Sequence, residues 1–177
     1  MLEEVLINKQ SFFKTKYMGN LEIIDKHINH ILEFDQGRQR TNIGGYQSNF
    51  INFGFKELIN FTTLATSKIL EKDNLQPNLD CFWLNINNGT NHNVAHIHSF
   101  NLMSCVYYHK VCCDKSPLVF TSMVPTVETY EKIFIPKNQD LIFFNGIYPH
   151  RVDGCGHDDH ERISIAFNYS YSLKEKQ

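Results

Sequence analysis

Apolar residues recur at helical spacing in two segments of the first half of the chain. The first segment, residues 21–34, reads LEIIDKHINHILEF, and the second covers roughly residues 55–72. Apolar side chains spaced three and four residues apart lie on one face of an α-helix, so both segments are predicted to be helices that pack by that face. The predicted buried positions are Leu21, Ile24, Ile28, Ile31 and Leu32 in the first segment and Leu58, Phe61, Leu64, Ala65 and Ile69 in the second.

The second half of the chain changes to the alternating or continuously apolar patterns of β-strands. Residues 1–18 alternate more loosely and predict an early edge strand, whereas the Gly- and Asn-rich residues 37–48 predict a loop. Pro77 and Asn78 are predicted to close the helical half. Two helices followed by about six antiparallel strands favour a mainly β fold, a double-sheet barrel with the N-terminal helices on one side. The predicted later strands cover residues 81–87, 102–109, 117–122, 133–136, 140–144 and 162–171.

Length and charge narrow the class of protein. A chain of 177 residues predicts a single domain over residues 1–177, with helical support at about 20–75 and a strand core at about 80–172. A net charge of -2 without a basic run argues against a nucleic-acid partner. No apolar stretch approaches the roughly 18 residues of a membrane span, and the mixed N-terminus does not resemble a signal peptide. The five cysteines form no zinc-binding pattern, so we expect reduced thiols and a cytoplasmic protein.

Three histidines suggest a metal site. His96 and His98 are two residues apart, so they lie on the same side of an extended segment, and His150 follows a buried strand and a turn. Three ligands on one side of a metal leave open positions, as O₂-activating iron requires. The alternative is chance, because nine histidines are scattered along the chain. His92 is another possible partner at four residues from His96, but that segment does not look helical.

The last predicted strand carries a polar face. Alternation places Arg162, Ser164, Ala166 and Asn168 on one side and apolar side chains on the other. A buried arginine is costly unless it is paired, and a small dicarboxylate would pair it through bidentate hydrogen bonds. The alternative is a structural ion pair with Glu161 or Asp153.

The order of these motifs resembles the Fe(II)/2-oxoglutarate-dependent dioxygenase superfamily. More narrowly, the chain is similar to the small phage-associated 2OG-Fe(II) oxygenases between residues 40 and 170, and its Val-Tyr-Tyr strand resembles that of prolyl hydroxylases. The motifs that carry the resemblance are NIGGYQS at 42–48, WLNIN at 83–87, HIH at 96–98, VYY at 106–108 and ERISIAFN at 161–168.

This resemblance implies a double-stranded β-helix (jelly-roll) fold and a site for Fe(II), 2-oxoglutarate and O₂. It implies that His96, His98 and His150 hold the iron. Where the wider superfamily has Asp or Glu, this chain has His98. A neutral imidazole there should weaken binding of hard cations and shift the metal preference toward Zn, Cu or Ni.

The resemblance also implies how 2-oxoglutarate binds. Its far carboxylate is expected on Arg162 with a hydrogen bond from Tyr108, and Ser164 and Asn85 are weaker candidates for the same pocket. Gln47 and the adjoining Gly-Gly turn at residues 44–45 are candidates for the substrate entrance, and a Gly-rich turn fixed by an amide is the equal alternative.

Three hypotheses about function remain at this point. The first is a dioxygenase that hydroxylates a C–H bond of an unidentified substrate, either a small molecule or a protein side chain such as peptidyl proline. It would act in the cytoplasm, or in the host cytoplasm if the chain is phage-encoded. The second is a non-catalytic jelly-roll protein that binds a metal or a carboxylate ligand, which His98 favours. The third is a structural module with buried, hydrogen-bonded histidines. The sequence pattern does not indicate an oligomeric state.

Overall fold

The computed structural model describes residues 2–7, 10–99, 102–111, 116–121, 131–156 and 160–174. Within the described residues, Cys81, Cys105 and Cys155 form no disulfide, and Cys112 and Cys113 lie outside those residues. Among the helices of the described ranges, none is long and apolar enough to cross a membrane.

Both predicted helices are present. Helix α1 spans Leu21–Phe34 and is capped by Asn20, whose side chain accepts hydrogen bonds from two first-turn amides. Helix α2 spans Lys56–Leu70 and is followed by a short 3-10 turn. The predicted buried stripes are too wide: Leu21, Leu32 and Leu64 are exposed, because each helix packs through the centre of its apolar face. Phe61 is half-buried.

In the part of the chain that the structure describes, twelve strands form two antiparallel sheets. The larger sheet has the order β1-β2-β10-β7-β12-β5-β4, and the smaller has the order β3-β6-β11-β8-β9. The mainly β jelly-roll prediction is therefore confirmed. In chain order the strands are β1 Glu3–Ile7, β2 Gln10–Lys16, β3 Asn42–Ile43, β4 Tyr46–Gln47, β5 Leu75–Asn88, β6 His92–His96, β7 Leu102–Val111, β8 Leu118–Thr121, β9 Glu131–Phe134, β10 Asp140–Asn145, β11 His150–Val152 and β12 Glu161–Leu173.

Several local predictions differ from the structure. The expected early edge strand is a hairpin, in which β1 lies at the sheet edge and β2 pairs with β10 in the interior. Pro77 and Asn78 do not close the helical half, because β5 begins at Leu75 and both residues pair with β12. The short strands β3, β4, β6 and β11 were not predicted, and they depend on pairing with distant strands.

The outer face of the larger sheet packs against both helices. Alternate residues of β5, β7, β10 and β12 meet the buried side chains of α1 and α2 in one core. Among the sheet residues in this core are Phe82, Leu84, Tyr107, Leu141, Phe143, Ile165, Phe167 and Tyr169.

The inner face of the larger sheet has an apolar half and a polar half. On the apolar half, side chains of β2, β7 and β10 pack against Leu118 and Phe120 of the smaller sheet. On the polar half, β5 and β12 carry buried polar side chains. These are Asn85, Asn87, Arg162, Ser164 and Asn168. Buried polar groups are costly unless they are hydrogen-bonded, so their concentration on this half marks a candidate site.

Candidate metal centre

The pairing of two short strands brings the three histidines together. β6 ends at His96 and β11 begins at His150, and these two residues are direct partners in the antiparallel register. The extended segment after β6 carries His98, whose backbone N–H donates to the carbonyl of Gly146 at 2.7 Å. A Cβ at Gly146 would meet the Cβ of His98 at 2.9 Å, so only glycine permits this close approach.

The three imidazoles form one compact cluster. Ring centroids are 4.3 Å apart for His96 and His150, 5.1 Å for His98 and His150, and 5.2 Å for His96 and His98. One ring nitrogen from each residue lies within 4.8 Å of the others, a geometry that could hold a metal ion. His92 is not in this cluster, which among the described residues contains His96, His98 and His150 only, and its Nδ1 contacts the Thr90 carbonyl near the start of β6.

Each imidazole is oriented through its Nδ1. The Nδ1 of His96 lies 2.9 Å from the Val94 carbonyl, and that of His150 lies 2.8 Å from the Tyr148 carbonyl. The Nδ1 of His98 lies 2.8 Å from Oδ1 of Asn168. Carbonyl and amide oxygens accept and do not donate, so each Nδ1 carries the proton. The lone pair for a metal is then on each Nε2, as in metal sites whose histidines are held by a second hydrogen bond.

Burial keeps these imidazoles neutral. It lowers the pKa of His150 to about 3, with help from the charge of His96. It also lowers the pKa of His98 to about 4, although the hydrogen bond with Asn168 opposes the shift. The pKa of His96 is lowered by burial as well, against the effect of its backbone hydrogen bond. The neutral imidazole is the form that binds metals, so the cluster is ready for a metal at neutral pH.

We predict that the metal-free protein loses stability in mild acid. An unfolded histidine has a pKa near 6.5, whereas the pKa of folded His150 is about 3 and that of His98 about 4. Below pH 6.5 the unfolded chain therefore binds more protons than the folded one. The free energy of unfolding should then fall by roughly 1 kcal/mol per pH unit for each imidazole as the pH is lowered toward 4. Urea unfolding midpoints at about pH 7 and about pH 5 measure this effect. A His150→Asn variant should show a smaller difference, and equal midpoints in the native chain would contradict the prediction.

A pocket of about 530 Å³, its open mouth included, lies beside the histidines. All four residues predicted for the cosubstrate line it: Asn85, Tyr108, Arg162 and Ser164. The residues predicted as a substrate entrance are not among those that line this pocket, and Gln47 is buried and pairs with β5. The Gly-Gly turn at residues 44–45 has positive φ and packs tightly against Asn91 and the Ile86 carbonyl. The structural interpretation of that turn is therefore the better one.

Arg162 is buried at one end of this pocket. It is 3% exposed, and its Nη1 donates to Ser116 Oγ at 3.0 Å and to the Ser116 carbonyl at 3.3 Å. The two carboxylates considered as ion-pair partners contact other cations. Glu161 meets Lys110 at 2.9 Å, and Asp153 meets Arg151 at 2.7 Å.

Tyr108 supplies a second polar group beside this cation. It is 1% exposed, and within the described ranges its hydroxyl has no hydrogen-bond partner. Burial raises the pKa of Tyr108, and the positive charge of Arg162 only partly opposes this, so the phenol remains a neutral donor. A buried guanidinium next to an unsatisfied phenol fits the carboxylate end of a small dicarboxylate.

Two residues that contact the cluster were not predicted from sequence as part of the site. Asn168 and Ser104 both contact Nδ1 of His98, at 2.8 and 3.0 Å. Alternation along β12 had already placed Asn168 on the face of Arg162, which was an available signal. Nothing local distinguishes Ser104 from the rest of β7. Trp83, the single tryptophan, also lines the pocket, with its ring centroid 6.1 Å from that of His98.

A jelly-roll fold, a cluster of metal-binding side chains and a buried arginine in the same pocket indicate a metal-dependent oxygenase. Residues 81–168 match the family described as "Putative 2OG-Fe(II) oxygenase". The chain belongs to the Fe(II)/2-oxoglutarate-dependent oxygenases, enzymes that use Fe(II), 2-oxoglutarate and O₂. A search of curated protein sequences found no match. The phage association expected from the motifs stays a prediction.

Solved structures agree on the fold. A prolyl-4-hydroxylase from Pseudomonas putida aligns with a TM-score of 0.62 and 14% identity, over 94% of this chain and 94% of its own. A viral collagen prolyl hydroxylase from Paramecium Bursaria Chlorella virus-1 gives 0.60 and 16%, over 90% and 96%. A Trichoplax adhaerens prolyl hydroxylase, solved with a hypoxia inducible factor peptide fragment, gives 0.67 and 13%, over 92% and 84%. At these identities the likeness establishes a shared fold.

Proposed function

We propose that this protein hydroxylates a C–H bond of its substrate at an iron held by His96, His98 and His150. The observation that carries the proposal is the convergence of three neutral imidazoles, each with Nδ1 held by an oxygen acceptor, on one wall of a pocket. Iron with 2-oxoglutarate supplies the oxidising power from O₂, and 2-oxoglutarate leaves as succinate and CO₂. The chain itself contributes binding, orientation and exclusion of water.

The cosubstrate is proposed to bind across the same pocket. Its 2-oxo acid end would face the histidines, and its far carboxylate would accept hydrogen bonds from Arg162 and Tyr108. Ser164, which is buried and lines the pocket, is a further donor, and Asn85 is a weaker candidate. This arrangement would satisfy the Tyr108 hydroxyl and add a negative charge beside the guanidinium, which supports the proposal.

The apolar walls of the pocket would keep water from the reacting C–H bond. Phe144 and Val106 come from the larger sheet and Leu118 from the smaller sheet, and all three line the pocket. Polar side chains are concentrated near the histidines and Arg162. A substrate that fills the remaining volume would displace water, which strengthens every electrostatic contact inside.

A protein side chain, such as a peptidyl prolyl residue, is the substrate class that we favour. Three of the similar structures are named as prolyl hydroxylases, and one of them was solved with a peptide fragment. The surface beside the pocket also suits a polypeptide. Phe34, Phe50 and Phe53 are exposed and line an open groove, and the Phe50 ring lies 6.0 Å from that of Trp83. Exposed aromatic patches of this kind often mark binding surfaces.

A non-catalytic metal- or carboxylate-binding protein is the second candidate. The observation that favours it is His98, an imidazole where the wider superfamily has a carboxylate. A ligand set of three neutral imidazoles leaves the bound metal one unit more positive than a set with one carboxylate does. Compared with a set of two imidazoles and one carboxylate, the three-imidazole set should therefore shift the metal preference from iron toward Zn, Cu or Ni.

Succinate formation distinguishes the two candidates. The protein would be reconstituted anaerobically with Fe(II), supplied with 2-oxoglutarate and air, and assayed for succinate without an added substrate. We expect slow, iron-dependent succinate formation from the oxygenase. Tight binding of metal and 2-oxoglutarate with no succinate, also in the presence of a peptide and small-molecule substrate panel, would instead support the binding protein.

A further inference from the structure

The three imidazoles of the cluster are held in two different ways. The Nδ1 atoms of His96 and His150 each contact a backbone carbonyl two residues earlier in the chain, from Val94 and Tyr148. Those acceptors are present whatever the side chains are. His98 instead depends on side chains from β7 and β12, so its orientation is set by which residues stand there.

The contacts around His98 form a closed triangle. The Nδ1 of His98 lies 2.8 Å from Oδ1 of Asn168 and 3.0 Å from Oγ of Ser104. The Ser104 hydroxyl donates to the same Oδ1 at 2.9 Å. The triangle holds two protons that can be donated, one on the imidazole and one on the hydroxyl. Both point to the single amide oxygen, which has two lone pairs.

The direction of the Asn168 amide decides which tautomer His98 adopts. With Oδ1 toward the ring, Nδ1 must carry the proton and Nε2 keeps its lone pair. With the amide reversed, its N–H₂ would donate to Nδ1, and the neutral ring would carry its proton on Nε2. A protonated Nε2 cannot bind a metal, so only the first direction is competent.

Cys81 on the neighbouring strand favours that direction. It is the direct partner of Asn168 in the β5–β12 register, next to a bulge between Asn168 and Tyr169. Burial and the charge of Asp80 raise the pKa of the Cys81 thiol, whereas its hydrogen bond with the Asn168 side chain lowers it. A contact that favours the thiolate comes from a donor, so the amide N–H₂ faces the sulfur and the amide oxygen faces His98.

We propose that Asn168, supported by Ser104, is a positioning residue that fixes His98 as its Nδ1–H tautomer and thereby makes the third imidazole a metal ligand. The inference rests on the proposed metal site. It assigns a purpose to a buried amide and a buried hydroxyl, groups that are costly to bury unless they are hydrogen-bonded. Side chains that orient metal-binding histidines commonly change metal affinity by about 10- to 100-fold when they are replaced.

The first test reads the tautomer without any metal. Long-range ¹H–¹⁵N correlation spectra of the metal-free protein report which ring nitrogen of His98 carries the proton. We expect Nδ1–H in the native chain and in Asn168→Asp, whose carboxylate also accepts from Nδ1. We expect a mixture of tautomers in Asn168→Leu, where no acceptor remains at that position.

The second test measures affinity for Co(II) by the fluorescence of Trp83, which is the only tryptophan and lies next to His98. Asn168→Leu should bind Co(II) about 10- to 100-fold more weakly, and Asn168→Asp should bind at least as tightly as the native chain. Ser104→Ala should have a smaller effect, because the amide acceptor remains.

Thr62→Val is the matched control. It removes another buried hydroxyl, which lies 2.6 Å from the Tyr169 hydroxyl in the core on the opposite face of the sheet. It should lower stability and leave both the His98 tautomer and Co(II) affinity unchanged.

A folded Asn168→Leu protein with native tautomer and affinity would overturn the proposal. If Asn168→Leu does not fold, the Asn168→Asp protein provides the test. Weaker Co(II) binding by Asn168→Asp than by the native chain would also overturn the proposal. Failure of the native chain to bind Co(II) would count against the metal site itself, and the tautomer spectra would still decide the role of Asn168.

Discussion

Replacing His150 with alanine should abolish tight metal binding and all iron-dependent succinate formation. His150 is the most buried of the three imidazoles, and its ring is 4.3 Å from that of His96 and 5.1 Å from that of His98. Its loss leaves two ligands on the pocket wall instead of three. We expect Fe(II) and Co(II) affinity to fall by more than about 100-fold, beyond the range for residues that only orient a ligand.

The matched control for this prediction is His92→Ala. His92 lies on the same strand as His96 but belongs to no metal-binding group among the described residues. Fluorescence of Trp83 measures metal binding and succinate release measures turnover, so the two effects are separated. Native Co(II) affinity in the His150→Ala protein would contradict the assigned ligand set. Equal losses in the His92→Ala protein would show that the effect is not specific to the cluster.

Replacing Arg162 with alanine should remove 2-oxoglutarate binding and leave metal binding intact. The guanidinium is 3% exposed and lines the pocket shared with the histidines. Truncating one partner of a buried, hydrogen-bonded charge pair costs about 2 to 5 kcal/mol, which corresponds to an affinity loss of at least about 30-fold. Calorimetric titration of the Co(II)-loaded protein with 2-oxoglutarate measures this loss, and Trp83 fluorescence measures the metal affinity.

Two further variants sharpen the Arg162 test. Arg162→Lys keeps the charge but loses the fork of N–H donors, so we expect an intermediate affinity. Lys110→Ala removes an exposed cation that pairs with the neighbouring Glu161 and should leave 2-oxoglutarate affinity unchanged. If 2-oxoglutarate still bound tightly to a folded Arg162→Ala protein, the proposed cosubstrate pocket would be wrong.

Most of the helices and long strands could be predicted, because the spacing of apolar residues along each segment matches the side chains that the structure buries. On β12 the two-residue alternation correctly separated Arg162 and Ser164, which line the pocket, from Ile165 and Tyr169 in the helix-facing core. The helices were equally predictable from their apolar stripes. The errors concern residues at the edges of the apolar helix faces, such as exposed Leu64. The spacing of apolar residues shows which face packs but not how wide the buried part of that face is.

Elements that depend on distant partners were not predictable. β6 and β11 have five and three residues, too few for a periodic signal. Each is stabilised by hydrogen bonds to strands far along the chain, and the register between them brings His150 opposite His96. In the same way, Pro77 taken by itself predicts the end of an element, but in the structure it pairs with Tyr171 within the long strand β5. Local propensity is weak compared with such tertiary pairing.

The sequence by itself determined which side chains were available: three imidazoles, a polar face on the last strand, and the motifs of an oxygenase family. Only the tertiary structure decided that the imidazoles meet, that each keeps its Nε2 lone pair, and that Tyr108 and Arg162 share their pocket. The reason is physical. Packing and hydrogen bonding in the folded chain bring the imidazoles together, bury them and supply the oxygen that accepts from each Nδ1. For His98 the contacts come from two strands, β7 and β12, that are far apart in the sequence.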